Sequence, residues 1–101
     1  MAQVYRTPQA EADLAEILEY LHKNNPSVAE QYARSISEKS QVLSRFPAMG
    51  RRRPEIASEL RSTLVKPYVN FYRIKDDIVQ ILRILHGKRD LRKILQEESE
   101  E

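Results

Sequence analysis

Between positions 61 and 86 the chain gathers three arginines, two tyrosines and a histidine that are able to hold an anion or move a proton: Arg61, Tyr68, Tyr72, Arg73, Arg83 and His86. Arg83 interrupts the run Ile81-Leu82-Arg83-Ile84-Leu85, where an unpaired charge would cost several kcal/mol if buried. Either it pairs with a carboxylate, for which Asp90 is the obvious candidate, or its face opens onto a groove. His86 precedes Gly87, Lys88, Arg89 and Asp90 directly after that run. A histidine there is able to act as acid or base near neutral pH, or simply to donate a structural hydrogen bond. Arg61, Tyr68, Tyr72 and Arg73 set bases beside aromatics, a pairing that suits stacking and phosphate contact as well as the edge of a small core. Arg51-Arg52-Arg53 reads as a solvated basic loop, with phosphate or acidic-partner contact as the alternative.

Several chemistries are missing. There are no cysteines, which removes a thiolate nucleophile, a disulfide framework and the usual structural zinc set. His22 is the only other histidine and stands far from His86 in sequence, so no metal cluster is expected. No glycine-rich phosphate loop, Ser/His/Asp set or spaced carboxylate pair is present, so no cofactor is expected either. No apolar run is long enough to cross a membrane or to act as a leader, which makes the cytoplasm the expected location. Charge is segregated. Residues 61–93 hold nine Lys/Arg against three Asp, a local +6, while the tail after Ile94 holds four Glu and no base. A basic surface of that kind suits an anionic or acidic partner.

The elements that must position these residues follow from the pattern. Thr7-Pro8 reads as a helix N-cap with proline in the first turn. Leu14, Ile17, Leu18 and Leu21 then make one apolar stripe, with Asp13, Glu16, Glu19 and Lys23 on other faces. Asn24-Asn25-Pro26 turns the chain, and Ser27-Val28-Ala29-Glu30 reads as a capping box for a second helix. That helix carries Ala29, Tyr32, Ala33, Ile36, Ser40 and Leu43 inward and stops near Arg45, before Phe46-Pro47. Residues 3–6 form a short edge strand. Residues 61–66, 68–75 and 78–85 are strands, the last two joined by a tight turn at Asp76-Asp77. The run 78–85 is apolar on both faces, so it belongs inside a sheet covered twice. One cover is the helical hairpin; the other is a short C-terminal helix over residues 89–96 or a partner. The expected architecture is α+β, an N-terminal antiparallel helical hairpin on a small antiparallel sheet. Residues 1–96 form one domain, and 97–101 are an acidic, flexible tail.

These pieces resemble the ParE branch of the ParE/RelE toxin superfamily. The resemblance rests on residues 6–17 with Tyr20-Leu21, then Phe46-Pro47 with Gly50-Arg51, Glu59-Leu60-Arg61, Tyr68 with Phe71-Tyr72-Arg73, and residues 83–90 from Arg83 to Asp90. It implies the toxin of a type II toxin–antitoxin system, of the kind that stabilises plasmids, neutralised by a cognate ParD-like antitoxin in a hetero-oligomer. Operator DNA would then be met only through that complex. The target implied for the ParE branch is DNA gyrase, blocked by binding without chemistry. Contacts to target or antitoxin would fall to Arg61, Tyr68, Tyr72, Arg73, Arg83, His86, Arg89 and Asp90. The RelE branch implies instead a ribosome-dependent mRNA endoribonuclease, which here would use Arg61, Arg73, Arg83 and His86. Gly87 stands where such nucleases place a terminal tyrosine. A third reading is a non-toxic, antitoxin-binding co-repressor.

Overall fold

Thr7 and Pro8 decide where the first helix begins. In the computed structural model, which describes residues 1–87, the Thr7 hydroxyl accepts a hydrogen bond from the Ala10 N–H at 3.2 Å and Pro8 opens helix α1 (Pro8–Asn24). The same hydroxyl donates to the carbonyl of Leu82 at 3.2 Å, so the helix start is also tied to the last strand. Asn25 alone joins α1 to α2 (Pro26–Arg45). Its N–H donates to Leu21 O at 2.7 Å and its side-chain oxygen accepts from Ser27 N at 3.1 Å, closing one helix and capping the next. The capping box expected at Ser27 is therefore not used. Pro26, with φ already fixed for a first helical turn, moves the start upstream. The C-terminal end is where Pro47 puts it, since Phe46 before a proline leaves the helical region.

The sheet has five strands: β1 (Gln3–Arg6), β2 (Arg51–Arg52), β3 (Arg61–Val65), β4 (Tyr68–Lys75) and β5 (Ile78–His86), in the order β1-β5-β4-β3-β2. β1 runs parallel to β5, and every other pair is antiparallel. The sheet is thus mixed and not wholly antiparallel. The helical hairpin is long enough to carry the chain across the sheet, and only such a crossover can lay a first strand parallel to a last one. Arg51 and Arg52, expected in a loop, form the edge strand β2 opposite Ser62 and Arg61.

Two apolar clusters hold the layers. Under the helices, Ala10, Leu14 and Ile17 of α1 and Tyr32, Ile36 and Leu43 of α2 pack on Val65, Tyr68, Tyr72, Val79, Ile81 and Ile84. Ala33, expected to face inward, is exposed. On the opposite face Ile56 and Leu60 close over Phe71 and Leu85. Among the described residues, this second cover comes from residues 53–60; the C-terminal helix expected over residues 89–96 lies outside those described, as does the acidic tail. A bulge on β5 explains why strict alternation fails there. Phe71 faces Arg83 and Tyr72 faces Ile81, which leaves Leu82 over and puts Ile81 and Ile84 on the same face.

Asp76 and Asp77 form the expected hairpin turn with φ of 53° and 62°. Two left-handed residues in a two-residue loop define the primed turn that matches strand twist, and Asn-Gly suits it better than two adjacent carboxylates. The double change Asp76→Asn with Asp77→Gly should raise stability by about 1 kcal/mol, read as an upward shift of the urea midpoint.

Candidate functional site

Arg83 is engaged in an ion pair, with a partner 70 residues away in sequence. Its Nε donates to Asp13 Oδ2 at 2.7 Å and one terminal nitrogen to Oδ1 at 3.1 Å, a fork on a carboxylate. The two side chains are only 11% and 10% exposed. Asp13 Oδ2 also accepts from the Ile84 N–H at 3.0 Å. The reason is topological. β1 pairs with β5 only as far as Ile81, and α1 then takes over, so Ile84 has no strand there to receive its N–H. The carboxylate substitutes for a strand carbonyl. Asp13 was expected on an outer helix face; its spacing from Ala10, Leu14 and Ile17 instead sets it within the buried stripe. That spacing, an acid at a stripe position opposite a base in an apolar strand, was the available signal. Asp90 and Arg89 lie outside the described residues.

Arg61 and Tyr72, cross-strand partners, secure a turn. The Tyr72 hydroxyl donates to Pro47 O at 2.7 Å and accepts from Gly50 N at 2.8 Å. Arg61 donates to Ala48 O and Gly50 O, each at 3.0 Å. Tyr72 is fully buried, and that burial raises its phenol above the ordinary tyrosine range. A Cβ on Gly50 would stand 2.4 Å from the Tyr72 oxygen. The turn therefore needs a glycine. Gly50→Ala should destabilise the fold by about 1–3 kcal/mol, and Tyr72→Phe, which leaves buried polar groups of the turn unmatched, by a similar amount in urea denaturation.

Arg73 points to the opposite face of β4 from Tyr72, donating to Gln80 Oε1 at 2.8 Å. At the far end of the hairpin, His86 meets Tyr68 edge to face with ring centroids 5.4 Å apart, and Tyr68 packs on Tyr32 at 5.2 Å. Burial pushes the Tyr68 phenol upward, which makes it a poor base at neutral pH. Tyr68 lies five residues from Arg73, about 17 Å along the strand at roughly 3.4 Å per residue. The structure thus brings together Arg61 with Tyr72, and Tyr68 with His86. It separates both pairs from Arg73. Among the described residues no cluster of three acids, histidines or cysteines could bind a metal.

The family model of the ParE toxin of type II toxin–antitoxin system, parDE, matches residues 4–91. Among curated proteins, Toxin RelE2 of Caulobacter vibrioides is 36% identical over 89 residues, spanning 88% of this chain and 99% of its own length. Toxin ParE3 of the same organism is 36% identical over 92 residues, covering 90% and 92%. Among solved structures, the chromosomal ParDE system of P. aeruginosa superposes with a TM-score of 0.72 at 29% identity, covering 85% of this chain and 96% of that one. The toxin–antitoxin complex RelBE2 of Mycobacterium tuberculosis gives a TM-score of 0.57 at 30% identity, covering 84% and 96%.

Proposed function

The chain belongs to the ParE toxin family of type II toxin–antitoxin systems, and from that premise we propose that it inhibits DNA gyrase by binding, held in check by a cognate ParD-like antitoxin. One observation carries the binding reading. The three arginines a nuclease would need are committed to different partners at different places: Arg61 to the carbonyls of Ala48 and Gly50, Arg73 to Gln80, Arg83 to Asp13. Phosphate stabilisation requires such donors to converge on one point where charge develops. Here they serve to hold a turn, a strand pair and a helix.

The fold supports the antitoxin, since the two solved structures named above are a toxin–antitoxin system and a toxin–antitoxin complex. An antitoxin would bind as an extended or helical segment that orders on contact, with operator DNA reached through the complex. The cytoplasm, where gyrase works, is the location that fits. No described helix is long and apolar enough to cross a membrane.

The ribonuclease reading keeps one specific support, the contact of His86 with Tyr68, together with a relative named RelE2. A general acid or base contributes about 10²- to 10⁴-fold to such a reaction. His86→Gln should therefore leave growth arrest within about threefold of wild type under the binding reading. Messenger RNA mapped after induction should be uncut. Loss of arrest by that one substitution, in a protein that still folds and binds antitoxin, would favour the nuclease.

A further inference from the structure

Residues 46–50 present an unusual combination. Their backbone is bolted down from beneath, while their large side chains face solvent. Phe46 N–H bonds to Val42 O at 2.8 Å and Met49 N–H to Phe46 O at 3.1 Å, forming a short 3₁₀ turn over residues 47–49. The Tyr72 hydroxyl and the Arg61 guanidinium then fix Pro47, Ala48 and Gly50 from the sheet. Yet Phe46 is 64% exposed and Met49 46%, with Val42 beside them one helical turn earlier, also exposed. Arg45, Arg51 and Arg52 flank the turn and are exposed too. From position 39 to 54 the sequence holds five Lys/Arg and no acid.

Rigid backbone under exposed aromatic, methionine and arginine side chains is what an interface anchor requires. These residue types dominate protein interfaces, and a surface already fixed in its bound shape loses little entropy on association. We infer that the turn formed by Phe46 and Met49, with Arg45 and Arg52, is the surface that grips an acidic protein surface bearing an apolar pocket. Under the reading above, on which this rests, that surface belongs to the toxin's target.

Charge sets the partner's sign, and the apolar side chains set its class. A nucleic-acid strand would use a track of bases and stacking rings along a groove. Here Arg52 shares the face of its cross-strand partner Arg61, which holds the turn, while Arg51 points to the other face, so the bases form no track; of the apolar residues only Phe46 offers a ring. Met49 and Val42 suit a protein pocket.

The test compares Phe46→Ala/Met49→Ala and Arg52→Glu with wild type in three readouts: growth arrest without antitoxin, inhibition of purified gyrase, and antitoxin affinity. Both variants change only exposed side chains, and retained antitoxin binding verifies their folding. The expected result is loss of arrest and at least tenfold weaker action on gyrase, with antitoxin affinity within about threefold of wild type. Growth arrest reads the patch whatever the target is. If both variants lose arrest while wild type leaves gyrase untouched, the patch stands and the gyrase reading falls. Variants as toxic as wild type would overturn the inference. So would a wild type that does not arrest growth, or lost antitoxin affinity with arrest retained, which would give the patch to the antitoxin. Binding of wild type to a fluorescent 30-mer DNA at physiological salt, abolished by Arg52→Glu alone, would overturn it in favour of nucleic acid.

Discussion

Asp13→Ala should cost about 3–5 kcal/mol in unfolding free energy, a large part of the roughly 5–10 kcal/mol expected for a domain of this size. The substitution removes a carboxylate that holds the Arg83 guanidinium at two points and receives the Ile84 N–H, all in a region shielded from water. A surface ion pair would be worth little, because solvent and salt screen it. This one is not on the surface. The penalty arises chiefly from what stays behind: a buried cation that has lost its fork, and a strand N–H with no acceptor. Replacing both partners with apolar residues, Asp13→Leu with Arg83→Met, should recover much of the loss, since most of it is the cost of a mismatched survivor. Guanidinium denaturation of the two variants measures both quantities. A loss under 1 kcal/mol for Asp13→Ala would mean that water reaches the pair.

Phe71→Ala should cost a comparable 3–5 kcal/mol. Phe71 is fully buried and is the residue over which Ile56 and Leu60 close, with the Arg53 guanidinium 5.8 Å from its ring centroid. The segment 53–60 has no regular secondary structure. It is held by the bond from Arg53 N to Leu60 O at 2.8 Å, by short turns, and by this ring. Without the ring the segment should open as a unit. Hydrogen exchange at the amides of Arg53, Ile56, Ala57 and Leu60 should then speed up well before the helices are affected. Uniform acceleration over the whole chain would show that the second cluster is not a separate unit.

The helices were legible because their information is local: a cap, a proline and a stripe lie within a few residues of one another. The strands 61–65, 68–75 and 78–86 and the Asp76-Asp77 turn were legible for the same reason, through β-branched and aromatic runs around a polar pair. What depends on topology was not. Nothing near Gln3 says that β1 will lie parallel to β5, and nothing near Arg51 says that two arginines will become an edge strand. Asp13 looked like one more surface acid because its partner is 70 residues away. The cover that residues 53–60 give Phe71 was not legible because Ile56, Ala57 and Leu60 make no periodic pattern; they act from an irregular segment. The candidate site was half legible. Its residues were named from type and position, but whether Tyr72 faced a ligand or a backbone turn depended on Gly50, which carries no chemistry of its own.

A plasmid supercoiling assay decides whether this toxin acts by binding gyrase, as proposed. Purified gyrase, ATP and relaxed plasmid are incubated with folded, antitoxin-free protein and resolved on a gel after proteinase treatment. Lost supercoiling or linear cleaved plasmid is the expected result, abolished when antitoxin is added first and retained by His86→Gln. Gyrase that supercoils at its full rate in a molar excess of folded protein would contradict it.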